Sequence, residues 1–191
     1  MIVQNDIEFH TPQDVDYKYA ETNYFCLTIP EEGLMASVYV VIRKGLGVMV
    51  SDIVFFSTLT DSRTECAYID CHQHLPAPDK LSDFTTENGL TIKAFSPRDY
   101  RVDYVGYDDT EIHFDFKGLM EPFDIHDPDH SPMAKRTIEE QHAGSGLGAA
   151  YGGHFDLTGR ITGTLKLYGK EYRADCIETM NMFSPALLNS A

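Results

Sequence analysis

His154-Phe-Asp-Leu-Thr-Gly-Arg-Ile-Thr-Gly-Thr-Leu-Lys-Leu167 alternates without a break: odd positions are apolar or glycine, and even positions are polar. Successive side chains of a strand point to opposite faces, so this period of two predicts a half-buried strand with one wet and one dry face. A helix would scatter the same residues around its axis. Gly159 and Gly163 fall on the dry face, where strand glycines mark a bend or bulge in a curved sheet. Tyr168-Gly169-Lys170 then reads as a tight turn into a second strand over residues 171–179.

Working outward, the same alternation predicts strands over residues 24–29, 34–43, 47–57, 65–72, 90–96, 100–107 and 111–118. Gly, Pro, Asn and Asp clusters such as Pro30-Glu-Glu-Gly33, Asn88-Gly89 and Asp108-Asp109 separate them. Short strands joined by tight turns predict an all-β, antiparallel, lipocalin-like (calycin) barrel, because closure removes exposed strand edges. Two stretches break the pattern. Residues 122–150, His- and Asp-rich and then glycine-rich, read as one long loop or a short helix over 134–142: a functional lid or a mobile connection. Residues 6–22 read as a polar strap across the outside of the barrel.

All 191 residues fit one domain. Lys plus Arg total 15 against 30 Asp plus Glu, a formal charge of −15, which repels nucleic acid and anionic membrane. No apolar run reaches the length of a spanning helix, and the N-terminus lacks a basic region followed by an apolar run, so a cytoplasmic location is expected. Cys26, Cys66, Cys71 and Cys176 form no CxxC pair; Cys26 and Cys176, in alternating segments, read as small core residues.

The segment GGHFDLTGRITGTLKLYGKEYRADCIETM, residues 152–180, resembles the hydroxyneurosporene synthase/AttH-like family, specifically the segment closing its first half. The likeness rests on Gly153, His154, Phe155, Asp156, Gly159, Arg160, Thr162, Gly163, Thr164, Gly169, Glu171 and Tyr172, with shorter similarities at 21–25, 32–34, 88–90 and 101–105. The resemblance implies a lipocalin-like fold related to carotenoid 1,2-hydratases and fungal cyclases, and a second β domain that packs on the first. This sequence departs from it at 181–186, where relatives carry a D-x-S-W-G-P-R-like ending, and it contains no Trp.

Candidate catalytic residues are His154, Asp156 and Glu178. His154 and Asp156 share one strand face two residues apart, where a carboxylate can fix an imidazole for proton transfer; the opposing reading makes that face the solvent side. Glu178 is an acid among Tyr172, Ala174 and Cys176, close to the segment where the resemblance is densest. Candidate ligand-binding residues are Tyr24, a phenol beside Cys26; Asp52, a carboxylate within an apolar face; and Phe114 and Phe116, expected to face the interior. Whether Val48, Val50, Val54 and Phe56 or Met49, Ile53 and Phe55 face inward stays open at this level. His72-Gln-His74 is too weak a pattern to assign a metal, and Gly144-Ser-Gly-Leu-Gly148 lacks the βαβ setting of a dinucleotide site. No cofactor or metal is therefore expected.

The expected function is binding of an apolar, terpenoid- or polyketide-like molecule in the barrel. Catalysis of hydration, cyclisation or isomerisation stays open beside two alternatives: a non-catalytic carrier, and a β-domain subunit working as a homodimer or with a second barrel.

Overall fold

The computed structural model describes residues 2–11, 19–58, 62–125, 127–129, 131 and 154–183. Among the described residues, eleven strands form a single antiparallel sheet: β1 (Glu21–Ile29), β2 (Leu34–Arg43), β3 (Val48–Phe56), β4 (Tyr68–Pro76), β5 (Asp83–Thr85), β6 (Leu90–Ser96), β7 (Asp99–Val105), β8 (Glu111–Gly118), β9 (Phe123–Asp124), β10 (His154–Leu167) and β11 (Lys170–Phe183). The order is β4-β3-β2-β1-β11-β10-β8-β7-β6-β5, with β9 on β10. Among the described residues the helical pieces are 3-10 turns of three or four residues, and no helix is long and apolar enough to cross a membrane.

Alternation in sequence becomes burial in space. On β2, Leu34, Ala36, Val38, Val40 and Ile42 turn inward; on β10, Phe155, Leu157, Ile161 and Leu165 do the same. The question left open on β3 resolves in favour of Met49, Ile53 and Phe55, so Val50, Asp52, Val54 and Phe56 lie on the outer face. Phe25 stands at the centre, edge-on to Tyr100, Phe114 and Phe116 with ring centroids 5.4, 5.9 and 6.2 Å away. Burying each such ring contributes roughly 1.5–3 kcal/mol. Gly159 makes that arrangement possible, since a Cβ there would stand 2.2 Å from the Phe116 ring.

The sheet curls into a half-barrel, and its ladder ends at β4 and β5. Closure by strand pairing, expected from the sequence, is replaced by side chains that cross the open side. β4 also starts later than expected, because Arg63–Glu65 form a 3-10 turn, and it runs on to Pro76 through a bulge opposite Met49 and Ser51. A proline at the end of an edge strand removes no ladder bond. β5 and β9, three and two residues long, are too short to show a period. Residues 122–150 begin with β9, and most of that stretch, with the helix expected at 134–142, lies outside the described residues.

The N-terminal strap does not lie on the outside. Residues 2–11 cross one end of the half-barrel, and Ile7 joins the core. Gln4 donates to the Phe95 carbonyl, Glu8 accepts from the Ser82 hydroxyl, and Lys44 Nζ sits 5.2 Å from the Phe9 ring centre. Residues 12–18 lie outside the described residues.

Candidate functional site

The half-barrel has a strap end, where β1, β3, β7 and β10 begin, and a turn end, where they finish. At the strap end β1 starts with three buried polar residues, Glu21, Thr22 and Asn23. The Glu21 carboxylate, fully buried, accepts the His10 backbone N–H at 2.8 Å and the Thr11 hydroxyl at 2.6 Å. Asp6 accepts the Val3 N–H at 2.6 Å. The His10 ring stands between these two acids, 3.7 Å from Asp6 and 3.9 Å from Glu21.

Beneath the strap, Asn23 faces inward on β1, opposite Val40 and Met182. Tyr100 faces inward on β7, opposite Ala94 and Phe116. They are 2% and 1% exposed, yet Asn23 Oδ1 and the Tyr100 hydroxyl have no hydrogen-bond partner among the described residues. Burial holds the Tyr100 phenol well above its ordinary pKa, so it stays neutral. A buried polar atom left unpartnered costs about 1–3 kcal/mol, which makes such atoms informative. Both flank Phe25: Asn23 is two residues along the same face of β1, and Tyr100 packs against the ring itself.

At the turn end, buried polar groups serve one another. Tyr104 donates to Asp70 Oδ2 at 2.6 Å, and its hydroxyl lies 2.5 Å from that of Tyr68. Because Tyr104 spends its one proton on the carboxylate, Tyr68 donates to Tyr104, and Tyr68 in turn accepts the Tyr107 N–H at 3.3 Å. Asn88 Nδ2 reaches both Asp70 Oδ2 (3.2 Å) and Ser51 Oγ (3.3 Å), and His72 Nε2 stands 2.8 Å from Asp70 Oδ1. Tyr107 and Tyr168 donate to the Ile69 and Ala67 carbonyls at the edge of β4. Gly106 leaves room for the pair of phenols: a Cβ there would meet the Tyr104 and Tyr68 hydroxyls at 2.1 and 2.3 Å. Burial pushes the Tyr68 pKa up to about 12, and burial together with the Asp70 hydrogen bond raises that of Tyr104 further.

The sequence candidates fall in several places. His154 and Asp156 lie on the outer face of β10 near the strap end, Nε2 3.0 Å from Oδ1, with side chains 22% and 40% exposed; they do not face the interior. Tyr24 and Glu178 come together with Cys26, Thr28 and Cys176 between β1 and β11, whose backbone ladder covers Thr22–Tyr24 against Asn181–Phe183. There the Thr28 hydroxyl donates to Glu178. Burial, reinforced by Glu178, pushes the Cys26 thiol up to about 11; burial, Cys26 and Glu178 push the Tyr24 phenol up to about 12. An open groove of about 500 Å³ runs beside Thr28 and Cys176, walled by Ile29, Pro30 and Ile177. Asp52 sits on the outer face opposite Tyr39 and, after burial, helps raise that phenol's pKa. Phe114 and Phe116 are fully buried in the core. Among the described residues no group of three or more His, Cys, Asp or Glu is placed to hold a metal.

Sequence reasoning missed Asn23, Tyr100 and Tyr104. A signal was present: Asn23 and Tyr100 occupy the dry parity of alternating segments, where a polar atom needs a partner.

An antiparallel, curled, nearly all-β sheet with an apolar inner face defines a lipocalin-like half-barrel. The family model described as Domain of unknown function (DUF7064) matches residues 4–179, and the chain belongs to that family. A solved structure from Nitrosomonas europaea, described provisionally as AttH, superposes with a TM-score of 0.51 at 9% identity, over 90% of this chain and 53% of that one. This chain thus spans about half the length of that protein. A comparison with curated proteins finds no match.

Proposed function

We propose that this half-barrel is a binding protein for an apolar small molecule, received at the strap end between the strap and Phe25. The observation that carries the reading is that two buried polar atoms beside the aromatic core, Asn23 Oδ1 and the Tyr100 hydroxyl, have no hydrogen-bond partner among the described residues. Ligand sites are mostly apolar with a few polar groups that fix orientation, and these two atoms have that character. The strap, tied down largely by polar contacts of Gln4, Glu8, His10 and Thr11, is the natural entrance. The reading requires no chemical change of the ligand; hydration or cyclisation, as the sequence resemblance implies, would be an addition to it. Native mass spectrometry of protein purified from its own host, followed by solvent extraction, tests it. A co-purifying apolar compound whose addition raises the Tm supports the reading. Protein that is empty and whose Tm no apolar compound shifts refutes it.

One observation favours a second reading, association with another β domain or a second copy. The outer face of β2–β4 carries Met35, Val41, Val50, Val54, Phe56 and Ile69, whereas that of β7, β8 and β10 is laced with ion pairs such as Arg101–Asp103, Lys117–Asp99 and Lys166–Glu111. Sedimentation of the wild type against Val50→Asp tests it: a dimer that the substitution dissociates supports association, and a monomer throughout excludes a homodimer.

A further inference from the structure

We infer that the ligand's polar end is a neutral hydroxyl, held between Asn23 Oδ1 and the Tyr100 phenol. This rests on the strap-end reading above and adds the chemistry of the head group.

The two orphaned atoms have opposite requirements. Asn23 Oδ1 is an acceptor and needs a donor; the Tyr100 hydroxyl carries a proton and needs an acceptor. A single hydroxyl meets both, donating to Asn23 Oδ1 and accepting from Tyr100. Both side chains face the interior at the strap end: Tyr100 packs edge-on against Phe25 at 5.4 Å, and Asn23 precedes Phe25 by two residues on the same inward face of β1. A carboxylate head has no proton for Asn23 and would bring its charge toward Glu21, two residues away on the same inward face of β1. An ammonium head can donate to Asn23 but cannot accept from Tyr100, and it would bury a charge against aromatic rings. An ether accepts only and leaves Asn23 unserved. The inward-facing residues that follow, Phe25, Phe116, Leu157, Met180 and Met182, offer no polar atom. The rest of the molecule is therefore a saturated or aromatic hydrocarbon body.

The test is a competition between decan-1-ol, 1-methoxydecane and decanoic acid, read by displacement of a fluorescent apolar probe from the full chain. Decan-1-ol is expected to bind at least about tenfold tighter than either of the others, the scale on which a site built around a hydroxyl rejects an analogue that lacks it. Asn23→Leu, which removes the alcohol's acceptor but keeps the Tyr100 donor that alcohol and ether share, should reduce that preference to less than about threefold, while Tyr100→Phe should weaken binding of both. Equal affinity of alcohol and ether overturns the inference but not ligand binding itself. Failure of all three compounds to displace the probe overturns both. A control separates an orphaned hydroxyl from one with a partner inside the protein. Without ligand, Tyr100→Phe should leave the Tm unchanged or raise it; a clear fall in Tm means the phenol is already satisfied, and the inference is wrong.

Discussion

The two ends of this half-barrel solve one problem in opposite ways. Each must cover an apolar interior with backbone and side chains that carry polar atoms. At the turn end, Tyr107, Tyr68, Tyr104, Asp70, Asn88 and His72 form a continuous relay, and tyrosine hydroxyls serve the edge carbonyls of β4. At the strap end, Glu21 and Asp6 are served by the strap, but Asn23 Oδ1 and the Tyr100 hydroxyl are not. A satisfied buried network rigidifies and specifies a fold, while an incomplete one is unstable unless something else completes it. The turn end therefore reads as structure and the strap end as a place for a guest.

The largest effect should come from breaking the relay. Tyr104→Phe strands the buried Asp70 carboxylate without one donor and Tyr68 without its acceptor, a loss of about 2–4 kcal/mol by denaturant unfolding. Gly106→Ala, which drives a methyl into the same two hydroxyls, should destabilise by about 1–3 kcal/mol. If both variants unfold like the wild type, the relay is not what closes the sheet.

Alkali should act next. The Tyr68 phenol ionises near 10 when unfolded and near 12 when folded, so the folded chain holds its proton more tightly. That stability is fully present below pH 10 and is lost as pH rises toward 12. Tyr24, raised likewise, adds to the loss in the same window. An alkaline unfolding curve checks this, and Tyr68→Phe should flatten it. A curve that is unaltered in the variant would place the titration elsewhere.

Loosening the strap end should cost less. Glu21→Gln weakens the hold on His10 and Thr11 by about 1–2 kcal/mol and should speed amide hydrogen exchange over residues 2–11, while the amides of β4 and β7 stay protected. Uniform loss of protection would show that the two ends open together. Least damaging of all, Tyr100→Phe and Asn23→Leu in the ligand-free protein should leave unfolding free energy unchanged or raise it by up to about 1–3 kcal/mol, in contrast to Tyr104→Phe.

Much of the fold was legible in the chain. β2, β6, β8 and β10 begin and end where alternation places them, because a half-buried strand has to show its period of two. Tyr168 and Gly169 both adopt positive φ, the tight hairpin that the turn sequence announces. The inward placement of Phe114 and Phe116 followed from the same parity. The site was less legible. His154 with Asp156, and Tyr24 with Glu178, stood out as residue types, yet the first pair lies on the outer face and the second sits between β1 and β11. Residue type proposes chemistry, but burial and neighbours assign it.

By itself, then, the sequence determined the antiparallel sheet, most strand limits, the acidic surface and the inward face of β10, since each depends on local periodicity or on composition. Tertiary structure alone decided that the sheet stops at a half-barrel, that tyrosines rather than backbone close its open side, and that Asn23 and Tyr100 are both buried at the strap end without a partner among the described residues. Those facts join residues 77 positions apart in the chain, from Asn23 to Tyr100, and hydrogen-bond satisfaction at such a distance depends on how the sheet curls, which no local pattern records.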